Sequence, residues 1–265
     1  MSNRANRDYS PAVRRATVVI LKPALTALLK RDWHGQEHIP RSGGVIVAGN
    51  HLSYADWAAM ALFAHQAGRY PAFLIKSSAF NVKGLGSFLH ACGQFPVHRG
   101  SADAALVLKD AERALEHGEC LIFYPEGTAT RDPALWPMVP KTGIARLALG
   151  TGAPVIPVAC WGTQDILPYG TKKLHLVPRH TVKMLAGPAV DLSAYAGQPL
   201  SRDVLRATAD TVMADITGLL ARLRGESPPA QLYDLAAARR EARQEQSRTL
   251  QNDPDGGDPQ KAMPA

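Results

Sequence analysis

Gly44-Val45-Ile46-Val47-Ala48-Gly49-Asn50-His51-Leu52-Ser53-Tyr54-Ala55-Asp56-Trp57 is the stretch on which the reading of the chain turns. A brief β-branched run bounded by glycine predicts a short buried strand through Val45, Ile46 and Val47. The chain then turns at Gly49 and Asn50, and Ser53, a good N-cap residue, predicts entry into a helix near that point. His51 falls on the turn, and Asp56 falls five residues later in the first turns of the helix. Side chains so placed can meet as a general base and its orienting carboxylate. The histidine works near its own pKa, while the aspartate fixes the tautomer and stabilises the imidazolium. No Ser or Cys nucleophile is needed if the substrate itself brings a hydroxyl. A histidine at a strand end is equally familiar as a structural hydrogen-bonding residue, so other parts of the chain must decide.

Composition sets the outer bounds. With 265 residues and 46% hydrophobic content the chain can bury the core of one domain with appendages. A formal charge of +7 favours an anionic partner: phosphate-bearing molecules, an anionic membrane surface or nucleic acid. Aromatics are 6%, with neither zinc-finger spacing nor an RNA-binding aromatic signature, and nucleic acid ranks last. Cys92, Cys120 and Cys160 are widely spaced and odd in number, which predicts buried thiols in a reducing compartment and neither a metal site nor a disulfide framework.

Residues 1–32 carry Arg4, Arg7, Arg14 and Arg15 ahead of an apolar stretch interrupted by Lys22 and Pro23. A spanning helix needs roughly 20 uninterrupted apolar residues, and Lys30-Arg31-Asp32 stands where a signal peptide would have small residues. The segment reads as one or two basic amphipathic helices, lying on an anionic membrane surface or capping the domain. Residues 33–225 open on an edge strand or loop over 33–40 and then alternate short apolar runs with helical patterns. Strands are expected through Ala72-Phe73-Leu74-Ile75, Phe95-Pro96-Val97, Cys120–Tyr124 and 155–160. Two more are expected at Leu174–Val177 and Val182–Leu185, as a possible hairpin. Helices are expected over 55–67, 84–92, 101–117, 141–149 and 201–223. That order predicts a single α/β domain with a central, mostly parallel sheet flanked by helices. Residues 226–265 read as a polar tail, with a helix over 230–246 and a disordered end.

The unusual residues follow the strand ends: His51 after the first core strand, Lys76 after the second, Arg99 after Phe95-Pro96-Val97, and Glu126 after Cys120–Tyr124. In a parallel sheet those ends converge on one edge, where sites are built. Lys76 and Arg99 would make that edge positive, and Arg suits phosphate. Glu126, on the tight turn Pro125-Glu126-Gly127-Thr128, accepts a substrate hydroxyl, holds a cation such as Arg131, or serves in a structural ion pair.

Four stretches then fall into place. Asn50-His51-Leu52-Ser53-Tyr54-Ala55-Asp56, Phe95-Pro96-Val97-His98-Arg99-Gly100, Phe123-Tyr124-Pro125-Glu126-Gly127-Thr128 and Val155-Ile156-Pro157-Val158 resemble, in order, the four blocks of the glycerolipid acyltransferase family. That family is typified by 1-acyl-glycerol-3-phosphate acyltransferase. The resemblance implies that His51 deprotonates an acceptor hydroxyl and that Asp56 holds the imidazole. It places Arg99, Glu126, Gly127 and Thr128 at the acceptor and makes Pro157 part of the acyl-donor wall; Lys76, from its place at a strand end, and Arg131, near the third block, are further cations for the acceptor. It implies an acyl-CoA or acyl carrier protein thioester as co-substrate, no separate cofactor, a lysophospholipid acceptor and a peripheral position on the cytoplasmic face of the membrane. One departure stands out. The third block commonly continues Glu-Gly-Thr-Arg, and here Ala129 occupies the arginine's place, followed by Thr130-Arg131. A lysolipid with a larger head group or a glycolipid is therefore an alternative acceptor, and a non-catalytic protein that binds anionic lipid is the alternative to an enzyme.

Overall fold

The computed structural model describes residues 9–97, 104–171 and 173–252. Its strands are β1 (Lys30–His34), β2 (Val45–Gly49), β3 (Pro71–Lys76), β4 (Phe95–Val97), β5 (Cys120–Phe123), β6 (Val155–Trp161) and β7 (Thr181–Ala186). Its helices are α1 (Pro11–Leu28), α2 (Asp56–Gln66), α3 (Leu85–Ala91), α4 (Ala104–Glu116), α5 (Gly143–Thr151), α6 (Thr163–Ile166), α7 (Arg202–Arg224) and α8 (Leu235–Asn252). The strands form one seven-stranded sheet in the order β1-β7-β6-β2-β5-β3-β4. Every pairing is parallel except β6 with β7. This is the expected α/β domain.

β2 lies at the centre and all five of its residues are buried. A strand covered on both faces loses the polar alternation of a one-sided strand and reads as a continuous apolar run. Ile46 and Ala48 pack with Leu121 against Ala111 and Leu115 of α4, Ile144 and Leu147 of α5, and Val212 and Ile216 of α7. Val45 and Val47 point the other way, into Ala59, Met60 and Phe63 of α2.

Four expectations change. The segment 174–177 is not a strand: Leu174 and Val177 are exposed, and β7 has both edges taken, by β6 and β1, so no hairpin partner can add there. The edge strand near residue 33 begins earlier, at Lys30, pairing with Thr181, so it overlaps the end of the N-terminal segment. The helix after β2 starts at Asp56, because the Ser53 hydroxyl accepts from Ala55 N–H and donates to the Leu167 carbonyl, which keeps residues 53–55 in a turn. The last helix starts at Leu235, where the Asp234 carboxylate accepts from the N–H groups of Ala236 and Ala237. The expected disordered end, from 253 on, lies outside the described residues.

α1 is a single helix despite Pro23. Ser10 caps it, accepting from Val13 N–H. Arg14 ties it to the domain: its guanidinium lies 3.5 Å from the Tyr9 ring centroid and 4.4 Å from that of Tyr70, and donates to Glu119 at 3.1 Å. Among the described residues, no helix is long and apolar enough to cross a membrane.

Candidate active site

β2 and β5 are neighbours running in one direction, so the turns beyond Gly49 and Phe123 emerge side by side. Asn50 extends the β2–β6 ladder by side chain. Its amide donates to the Cys160 carbonyl at 3.0 Å and its oxygen accepts from Cys160 N–H at 2.8 Å. Gly49 packs closely under α2: a Cβ there would lie 2.5 Å from the Met60 methyl, the far end of a flexible side chain that would have to shift. His51 therefore leaves a fixed strand end.

The loop from His51 to Ala55 wraps around the carboxylate of Asp56. Asp56 Oδ2 accepts from His51 Nδ1 at 2.7 Å, Leu52 N–H at 2.6 Å and Ser53 N–H at 2.9 Å. Asp56 Oδ1 accepts from the Thr163 hydroxyl. The Asp56 side chain is 1% exposed and that of His51 18%. An ionised carboxylate only accepts, so Nδ1 carries a proton and Nε2 is the basic nitrogen of the imidazole. His51 also stacks on the Tyr124 ring, with centroids 4.5 Å apart and planes 23° from parallel. Thr163 opens α6 directly beyond β6, the other neighbour of β2. It gave no local signal in the sequence, because its partner lies 107 residues away.

Glu126 is buried and differs from expectation in its partners. Its Oε1 accepts from His51 N–H at 2.9 Å and its Oε2 from Met138 N–H at 3.0 Å. Arg131, the expected cation, instead stacks over Tyr169 at 3.8 Å and donates to the Tyr169 hydroxyl. Burial pushes the Glu126 carboxyl up to about 8; the two backbone N–H donors lower it, and the Asp56 charge raises it further. Burial and the Asp56 charge likewise raise the Tyr124 phenol and the Cys160 thiol well above their ordinary values. Among the described residues, Asp56 is the carboxylate that bonds the imidazole directly, while Glu126 holds the backbone of His51 and its loop.

Gly127 has φ 72°, and a Cβ there would lie 2.9 Å from Lys141 Nζ, so the turn and Lys141 pack directly against each other. Gly127 N–H donates to the Tyr124 carbonyl, closing a β-turn with Pro125 at its second position. Thr128 follows, partly buried. Ala129 is buried at 1% exposure, and Thr130 N–H donates to the His51 carbonyl at 2.7 Å. Lys76 ends β3 in an exposed position, one strand beyond β5. Pro157 is buried in β6; its ring faces Gly187 beside Leu219 of α7, and it lines neither of the two apolar cavities near the site. Arg99 lies outside the described residues.

Of those cavities, one lies between α1, α2, β3 and α3, lined by Leu21, Trp57, Leu62, Phe73, Phe88 and Leu89. The second lies between α1, α2 and the segment after β6, lined by Leu28, Tyr54, Ala58, Ile166, Leu167 and Leu176. Leu25 and Trp57 border both. Thr163 also lines the second cavity, next to the Asp56 carboxylate that it holds.

A family model described as Acyltransferase matches residues 30–161, from β1 to the end of β6. The chain belongs to the acyltransferase family. This acyltransferase-family chain is 30% identical over 146 residues to a chloroplastic 1-acyl-sn-glycerol-3-phosphate acyltransferase of Brassica napus, a match covering 54% of this chain and 40% of that one. It is 25% identical over 169 residues to a 1-acyl-sn-glycerol-3-phosphate acyltransferase of Bacillus subtilis, covering 63% and 76%. The matches span only about two-fifths of the plant relatives' length, 40% and 39%. Its fold is that of the crystal structure of the 1-acyl-sn-glycerophosphate (LPA) acyltransferase PlsC from Thermotoga maritima, with a TM-score of 0.60, 22% identity and coverage of 82% and 81%.

Proposed function

We propose that this chain is an O-acyltransferase that moves a fatty acyl group from a thioester, carried on coenzyme A or acyl carrier protein, to the free hydroxyl of a lysophospholipid such as 1-acyl-glycerol-3-phosphate. The observation that carries this reading is the His51 Nδ1–Asp56 Oδ2 hydrogen bond of 2.7 Å beside a carboxylate held by three further donors. Nε2 takes the proton of the acceptor hydroxyl as its oxygen attacks the thioester carbonyl. The tetrahedral intermediate collapses, the C–S bond breaks, and the thiolate leaves with the proton returned by the imidazolium. The thioester is already activated, so no acyl-enzyme is required. Asp56 stabilises the imidazolium between the two proton transfers.

Two apolar cavities meeting at Trp57 and Leu25 suit a reaction that brings two hydrocarbon chains together, one on the donor and one on the acceptor. α1 has one side on those cavities, through Leu21 and Leu25, and its opposite side exposes Val19 at 71% and Ile20 at 67%. With the basic N-terminus, that surface supports a peripheral position on an anionic membrane, at its cytoplasmic face, where lipid substrates would enter directly. Lys76, Arg99 and Arg131 are the cations we assign to the acceptor phosphate, with Thr128 and the Gly127 turn beside it. Buried Ala129 favours, as a second reading, a lysolipid with a larger head group or a glycolipid, received at the exposed Arg131–Tyr169–Tyr54 surface.

The test is incubation of the purified chain with acyl-CoA or acyl carrier protein thioester and a panel of lysophospholipids, with the new ester identified by mass spectrometry. His51→Ala is expected to form none. Free fatty acid as the main wild-type product would replace transfer by hydrolysis, and full activity in His51→Ala would remove the mechanism.

A further inference from the structure

Beyond the His–Asp pair, the His51 imidazole has a second neighbour that holds it by its flat face. The Tyr124 ring lies under it with centroids 4.5 Å apart and a 23° interplanar angle. Tyr124 follows β5 directly and opens the turn that carries Glu126, so its backbone is set by the central sheet. Its hydroxyl is buried, with no hydrogen-bond partner among the described residues. Unpaired buried hydroxyls are uncommon in folded proteins, so the site retains this residue for something other than that hydroxyl's bonding.

We infer that Tyr124 is a positioning residue for the reaction: its ring fixes the plane of the His51 imidazole and its π face stabilises the imidazolium formed when the acceptor is deprotonated. The inference rests on the reading of His51 as the general base. Nδ1 is held by Asp56, but a single hydrogen bond at one edge leaves the ring free to swing about that contact, and stacking removes the swing. An aromatic face also attracts a cation, most strongly where water is excluded. Among the described residues, the titratable groups facing the pair are Asp56 from α2, Glu126 from the turn after β5 and Cys160 from β6. Glu126 and Cys160 are pushed toward their neutral forms by burial, so Asp56 at the ring edge and Tyr124 on its face are what act on the imidazolium.

The experiment compares Tyr124→Leu, Tyr124→Met, Tyr124→Phe and His51→Ala with the wild type, in full pH profiles of acyl transfer from acyl-CoA to a lysophospholipid. Tyr124→Leu and Tyr124→Met are expected to lower kcat by about 3- to 30-fold, the range of cation–π attraction from exposed to desolvated sites. KM for both substrates should hold. The acid limb of kcat/KM should move to lower pH by about 0.5 to 1.5 units, because the charged imidazole loses its partner. Tyr124→Phe, which keeps the ring, should restore both kcat and the limb. Wild-type kcat and an unmoved limb in the Leu and Met variants overturn the inference, as does a loss in Tyr124→Phe equal to theirs. These outcomes separate from failure of the base itself. An active His51→Ala removes both readings, whereas an inactive His51→Ala with wild-type-like Leu and Met variants removes only that of Tyr124.

Discussion

Asp56→Asn tests the charge of the carboxylate separately from its geometry. Asparagine is nearly isosteric with aspartate, and each native contact has a counterpart. The amide oxygen takes the place of Oδ2 and accepts from His51 Nδ1, Leu52 N–H and Ser53 N–H. The Thr163 hydroxyl, a donor in the native protein, turns to accept from the amide nitrogen. Four hydrogen bonds survive and a buried charge disappears, so stability should change by no more than about 1 kcal/mol, or about 2–4 °C in melting temperature for a domain of this size. The negative charge beside the imidazolium is what goes. A positioned general base contributes about 10²- to 10⁴-fold, and kcat should fall by that order with both KM values little changed. The assay is thiol release from acyl-CoA in the presence of a lysophospholipid, alongside a thermal melt. An Asp56→Asn protein that melts like the wild type and keeps activity within about tenfold of it would show that the carboxylate's charge does not drive the proton transfer.

Two further outcomes follow from the same network. Thr163→Val keeps the shape of a residue that is 1% exposed and removes the donor to Asp56 Oδ1; losing a hydrogen bond to a charged group should cost about 2 kcal/mol and lower the melting temperature by about 4–8 °C, and an unchanged melt would show that Oδ1 does not depend on it. Glu126→Gln turns an amide N–H₂ toward one of two backbone N–H donors, at His51 or Met138, and should destabilise by about 1–3 kcal/mol. The native Glu126 carboxyl lies at about 8 against an ordinary 4.5, so the folded protein holds a proton that the unfolded chain has released. Stability from this group is present in full below 4.5 and is lost as pH rises toward and through 8. Urea melts across that window should show this component in the wild type and not in Glu126→Gln; equal slopes in the two proteins would refute the assignment.

Much of the site was legible because its pieces are local. His51 and Asp56 meet through a five-residue loop whose own N–H groups bind the carboxylate, and that geometry follows from their spacing. The order of the apolar runs likewise announces an α/β sheet. The partners of Glu126 were not legible: an acid on a tight turn looks the same whether it faces a cation or two backbone N–H groups. Tyr124 resembles any aromatic at a strand end, and only the adjacency of β2 and β5 sets its ring against His51. The segment 174–177 has the composition of a strand, but no free sheet edge is left for it beside β7.

Alternation of buried strands with amphipathic helices, and a His–Asp pair just past the first core strand, can be read from the chain alone. These are properties of period and spacing, written within a few residues of each other. Long-range packing sets the rest: β7 lies antiparallel to β6 and parallel to β1, pairing Thr181 with Lys30, Thr163 completes the hold on Asp56, and Glu126 clamps the His51 loop to Met138. Those contacts join residues far apart in the chain. What fixes them is strand order and the requirement that each buried polar group find a donor or acceptor, and neither is encoded in any local stretch.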